Sequence, residues 1–137
     1  MADSTTSETL TSGVRVVVEP RFEPFHSEPD RDRFVFSYRV TVTNEGDQRV
    51  QLVSRRWLII DGDGNREEVR GSGVVGFTPW IPPGDSFSYA SFCPLATDFG
   101  TMEGSYTMMD ESGNEFEVEI GRFYLVASEP GDSTQEL

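Results

Sequence analysis

Gly71, Gly73 and Gly76 fall in the order G-x-G-x-x-G. In dinucleotide-binding folds that spacing cradles a phosphate. A strand feeds the glycine turn, and a helix leaves it with its N–H groups aligned on the anion. Here Pro79, Pro82 and Pro83 follow closely, and proline has neither the N–H nor the room that a helix interior requires. The sequence therefore predicts a glycine-rich bend without its helix. Two readings of the bend stand. In one, backbone N–H groups around Gly71–Gly76 form a small concave anion site without a helix. Arg70 adjoins it, and Arg55 or Arg56 reaches it from a neighbouring strand; the planar guanidinium fork suits phosphate or carboxylate. In the other, the glycines allow a tight crossing where side chains would collide.

The remaining candidates are weaker chemically. Asp61-Gly62-Asp63-Gly64-Asn65 imitates the opening of a calcium loop, but Arg66 stands where that loop needs glycine and Ser72 where it needs glutamate. A hairpin tip is the expectation. Cys93 and His26 are the only cysteine and histidine, too few for a zinc site and without a third group for nucleophilic catalysis. Cys93 is expected as a buried inert thiol and His26 in a polar loop. The acids between Asp85 and Glu119 include no isolated pair in an apolar setting, so acid–base catalysis has no visible basis. No catalytic residue, metal site or cofactor is expected. Phe77, Trp80 and Ile81 lie in a proline-rich connection. Exposed together they form an aromatic patch for a protein partner; folded inward they cap a core.

Period-two alternation supplies the elements that must position these groups. Phe34, Phe36, Tyr38, Val40 and Val42 face one way, while Ser37, Arg39, Thr41 and Thr43 face the other. Val14, Val16 and Val18 repeat the pattern, as do Phe116, Val118 and Ile120 against Glu115, Glu117 and Glu119. Further strands are expected over Leu52–Asp61, Arg66–Arg70, Ser86–Phe92 and Ser105–Asp110, with turns at Asn44–Asp47, Asp61–Gly64 and Glu111–Asn114. About seven strands and no helix predict an all-β, antiparallel sandwich of the immunoglobulin or fibronectin type III kind. Trp57, on the central strand, is expected in its core. Residues 13–127 form the domain; residues 1–12 and 128–137 are expected as disordered tails.

The chain has 137 residues, enough for one domain with a core and too few for two. Its net charge is −13, from 24 acids against 11 bases, all of them arginine. Such a surface weighs against nucleic acid as a partner. It suits solubility, and equally a high-salt cytoplasm. No apolar run approaches the ~20 residues of a membrane span, and the N-terminus lacks the pattern of a secretory leader. A cytoplasmic protein without an internal disulfide is the expectation. Exposed edge strands also admit a homodimer.

Short motifs then carry a resemblance. Asn44-Glu-Gly46, Leu52-Val-Ser-Arg-Arg-Trp57, Glu68 to Gly76, Pro83-Gly84, Cys93-Pro-Leu95 and Gly100-Thr-Met-Glu-Gly-Ser-Tyr106 appear in the order and spacing of the ApaG domain family, which the chain resembles. The resemblance implies a fibronectin type III-like sandwich, a link in bacteria to cobalt resistance and magnesium efflux, and use as a binding module. It also implies the suggested role of the glycine loop in binding pyrophosphate or nucleotide. One position departs: the family's Arg-His-Trp is Arg55-Arg56-Trp57 here, so a role resting on that histidine does not carry over.

Overall fold

Alternating sequences of this kind pleat into strands that bury one face. The computed structural model describes residues 5–127. It contains β1 (Ser7–Thr11), β2 (Val14–Phe22), β3 (Phe34–Asn44), β4 (Val50–Asp61), β5 (Arg66–Ser72), β6 (Trp80–Ile81), β7 (Ser86–Leu95), β8 (Phe99–Met109) and β9 (Glu115–Val126). Short 3-10 turns at Pro24–His26 and Pro29–Arg31 are the only helical pieces among the described residues. One sheet runs β1-β2-β3-β7; the other runs β5-β4-β8-β9, with β6 also pairing to β4. Without β1 and β6, this is the seven-stranded fibronectin-like sandwich the alternation predicts.

Two expectations on strand boundaries need correction. Residues 7–11, expected as part of a tail, form β1. Ser12 and Gly13 both have positive φ, 50° and 80°, and turn the chain tightly so that Thr11 pairs with Val14 and Ser7 with Val18. A Ser/Thr-rich stretch can serve as an edge strand once such a turn folds it back. β8 also starts earlier than expected, at Phe99. A Cβ at Gly104 would lie 1.9 Å from the Arg56 carbonyl oxygen. That glycine permits close strand contact and does not end the strand. The tail expected at 128–137 lies outside the described residues.

The core is filled by the inward faces of both sheets. Trp57 is buried on β4 and meets Tyr38, Tyr106 and Phe123 edge-on, with ring centroids 5.4, 6.4 and 5.8 Å away. The buried amide of Asn44 is satisfied: Nδ2 donates to the carbonyls of Gln48 and Ile81, and Oδ1 accepts from Gly46 N–H.

The two sides of the sandwich differ. On one, β1 lies against β9. Thr9 Oγ1 donates to the Glu119 carbonyl at 2.7 Å, Glu119 N–H donates to Thr11 Oγ1 at 3.3 Å, and Tyr124 N–H donates to the Thr5 carbonyl at 3.0 Å. On the other, the edges β5 and β7 belong to different sheets and do not pair. The glycine bend lies on this open side.

Candidate functional site

Each glycine of the bend has its own steric reason. Gly71 pairs with Arg55 across β4 and β5. A Cβ there would stand 2.8 Å from the guanidinium carbon of Arg55, so Gly71 makes room for that side chain. Gly73 has φ +60°, and an added Cβ would stand 2.1 Å from the Phe77 carbonyl oxygen. Val75 and Gly76 have φ 42° and 87°, the left-handed pair that a two-residue turn requires. Reciprocal 2.8 Å hydrogen bonds between Val74 and Phe77 close that turn. The N–H of Gly73 donates to Val53, that of Val74 to Phe77 and that of Phe77 to Val74. These three donors are spent inside the bend, which favours the crossing over the anion cradle.

The three arginines expected around the bend divide between two faces of one sheet. The alternation that buries Trp57 turns Arg55 to the same inner face. Its Nη1 donates to the carbonyls of Ser72 and Gly73 at 3.0 and 2.9 Å. Among the described residues Arg55 makes no ion pair. It stands between two adjoining depressions of about 320 and 180 Å³, both lined also by Tyr38, Trp57 and Ser91. Burial raises the Tyr38 phenol above its ordinary range, and the Ser91 hydroxyl opposes the shift. Deeper in, the hydroxyls of Tyr89 and Tyr106 share a short hydrogen bond, and burial raises both phenols.

Arg56 and Arg70 point out of the sandwich. Both meet Glu68 Oε2 at 2.7 Å, from Arg56 Nε and Arg70 Nη2. The hydrogen bond from Arg56, with the Arg70 charge behind it, holds the Glu68 carboxyl below its usual range. Beside them lies a shallow depression of about 560 Å³, lined also by Arg55, Gly71, Ser54, Ser72 and Ser105, and by Thr107, whose hydroxyl donates to Glu117 at 2.6 Å. Arg55 thus borders the inner depressions and also the outer one that it shares with Arg56 and Arg70.

The aromatic connection also divides. Phe77 is 60% exposed, its ring centroid 6.3 Å from that of Phe87. Trp80 is partly exposed, with the Arg49 guanidinium 4.6 Å from its ring centroid. Ile81 is 2% exposed and pairs with Val50, so it belongs to the core and not to a binding patch. Neighbours in a strand face opposite ways, which separates Trp80 from Ile81.

The remaining candidates have structural explanations. Burial pushes the Cys93 thiol up to about 12, which keeps it protonated at neutral pH. The His26 ring lies against Phe92 at 6.0 Å. Phe92 is exposed while Cys93 points inward, so His26 is on the far side of β7 from the thiol. In the calcium-loop imitation, Asp61 Oδ1 accepts from the N–H groups of Asp63 and Asn65, and Oδ2 accepts from Asn65 Nδ2. The carboxylate builds the hairpin tip. Asp110 repeats the arrangement with Ser112 and Asn114. Among the described residues, no group of three or more His, Cys, Asp or Glu side chains is placed to share a metal ion.

Sequence reasoning missed Tyr38, Ser91 and Phe92 as walls of the opening, and Val75 at its rim. One available signal was the position of Arg55, two residues before a core tryptophan and hence on the buried face.

These features define an all-β, fibronectin-like sandwich with one open side that carries a buried-face arginine. Comparison with known proteins gives the family. The ApaG domain family matches residues 24–110. The chain is 55% identical over 115 residues to Protein ApaG of Methylobacterium nodulans, covering 84% of this chain and 88% of that one. It is 50% identical over 116 residues to Protein ApaG of Brucella abortus, covering 85% and 89%. A crystal structure of an ApaA protein from Bordetella pertussis superposes with TM-score 0.81 at 46% identity, covering 82% of this chain and 92% of that one. The chain belongs to the ApaG family. No helix among the described residues is long and apolar enough to cross a membrane.

Proposed function

We propose that this ApaG domain is a non-catalytic, cytoplasmic binding module that takes a protein partner on its open side. One observation carries the reading: Val75, exposed by 51%, lines the opening, and Phe77, exposed by 60% and packed against Phe87, stands beside it in the same glycine bend. Exposed apolar side chains gathered around a concave, partly polar floor are the usual anatomy of an interaction site. The lone, buried Cys93 fits a reducing compartment. The link to cobalt resistance and magnesium efflux that the resemblance implies is assigned in this proposal to the partner. Affinity capture from the native cytoplasm tests the reading. A partner retained by the wild-type chain is expected to be lost with Phe77→Ser or Val75→Ser while circular dichroism stays unchanged. An identical captured set with both variants would sink it.

Small-anion binding is the second reading, and the geometry moves its support away from the glycine amides. Ser54, Ser72 and Ser105 line the outer depression with Arg56 and Arg70, while the Thr107 hydroxyl there donates to Glu117. Arginine forks with hydroxyl donors suit pyrophosphate or a nucleotide. Glu68 competes for both guanidinium groups, which weakens the case. Titration with pyrophosphate, followed by amide NMR, is expected to move Ser72 and Thr107 resonances in the wild type and not in Arg70→Ala. Unmoved resonances at millimolar ligand remove this reading.

A further inference from the structure

β7 is a ten-residue edge strand with the sequence SFSYASFCPL. β3 pairs along one side of it, and among the described residues no strand pairs along the other. Edge strands are usually kept from pairing by charge, shortness, bulges or proline. β7 has no charged residue, and its one proline, Pro94, stands next to its end. β5, across the same opening, shows the opposite treatment: it is shorter and carries Arg66, Glu67, Glu68 and Arg70. The opening thus has one guarded edge and one unguarded edge.

A strand laid along β7 would hydrogen-bond its backbone to that free edge and direct every second side chain into the opening. The floor there mixes apolar and polar groups. Trp57, Val69 and Tyr89 are its apolar surface, and Arg55 lies between them with Ser91 in both depressions. Glu67 lines the opening as well but is not ion-paired with Arg55. The guanidinium therefore faces the opening without a carboxylate of its own.

We propose that β7 receives an extended segment of a partner protein by strand addition. The inward side chains of that segment are apolar except for one Asp or Glu, whose carboxylate meets Arg55 level with Ser91. This rests on the reading of the open side as the protein-binding face and adds the class of ligand. The net charge of −13 opposes a second copy of the chain as the occupant, and it requires the rest of the partner to be neutral or basic.

The test uses the full chain. A random nonapeptide library is selected against it, and the enriched peptides are studied by NMR and hydrogen exchange. The expected peptides carry one Asp or Glu flanked by apolar residues two positions away on each side. Binding is expected to slow exchange at β7 amides. N-methylation of alternate peptide amides should abolish binding in one parity and spare it in the other. Changing the peptide Asp or Glu to its amide should weaken binding to the wild type about tenfold, the size of a lost charge-assisted hydrogen bond, and should leave binding to Arg55→Met unchanged. If that variant does not fold, the peptide changes alone decide with the wild-type chain. Peptides that bind equally in both N-methylated parities, or that shift only Arg56 and Thr107, overturn strand addition and leave a protein-binding module standing. Failure to enrich any peptide overturns strand addition; if Phe77-dependent capture fails too, the broader reading falls with it. Concentration-dependent protection of β7 in the chain alone gives the edge to a second copy and overturns the proposal.

Discussion

The two sides of this sandwich are made from the same materials and treated in opposite ways. Where β1 meets β9, hydroxyls of Thr9 and Thr11 reach across to the backbone of Glu119. Where β5 faces β7, no strand fills the gap, and Arg55, Tyr38 and Ser91 border open depressions. An extra N-terminal hairpin strand accounts for the first arrangement. The second arises because the chain leaves β5 through a glycine bend and adds only the two-residue β6 to β4 before it enters β7 in the other sheet. One core thus carries a closed side and an open side.

The contrast can be broken most forcefully in the core. Phe123→Ala and Trp57→Ala each remove a buried aromatic, and losses of about 3–5 kcal/mol are expected for both in urea unfolding. Phe123→Ala should fall at the upper end because its vacancy is sealed. Trp57→Ala should fall at the lower end because water from the opening can enter. The reverse order would mean the open side is packed as tightly as the sealed one.

The glycine bend sharpens the contrast further. Gly73→Ala combines positive φ with a collision against the Phe77 carbonyl, and a loss of at least about 2 kcal/mol is expected. Gly76→Ala meets nothing within 4 Å and should cost only about 1 kcal/mol for its left-handed backbone. Equal costs would show that the bend does not cross as described. On the sealed side, Thr9→Val keeps the shape and removes the hydrogen bond to Glu119. About 1 kcal/mol should be lost, with no change in ligand binding on the open side.

The smallest effect concerns acid. Glu68 titrates below its ordinary range because Arg56 and Arg70 favour the carboxylate. A carboxyl lowered in the folded state adds stability above its unfolded pKa of about 4.3, and that stability is lost as pH falls through the folded value. Comparing urea midpoints of the wild type and Glu68→Gln should show a small difference at neutral pH that vanishes in strong acid. A difference that grows toward acid would contradict the pairing.

The legible part of the fold followed from period two. Phe34 to Val42 and Phe116 to Ile120 declared their inward faces, and Asp61–Gly64 and Glu111–Asn114 declared their turns. β1 was hidden because Ser7–Thr11 has the composition of a tail, and only the backbone angles of Ser12 and Gly13 reveal the hairpin. The site was less legible for a geometric reason. Spacing brought Arg55, Arg56 and Arg70 near one bend, but alternation sends Arg55 inward and Arg56 and Arg70 outward. The same alternation removes Ile81 from the surface beside Trp80. The walls contributed by Tyr38 and Ser91 come from strands far away in the chain, and local pattern carries no record of that meeting.

The uncharged length of β7 has a colloidal consequence. An unguarded strand edge can template stacking between copies, and only long-range repulsion keeps such copies in solution. Near the isoelectric point of about 4.3 that repulsion disappears, and concentrated salt screens it at any pH. Turbidity should therefore rise first under those two conditions, and one lysine in place of Ala90 should delay its onset.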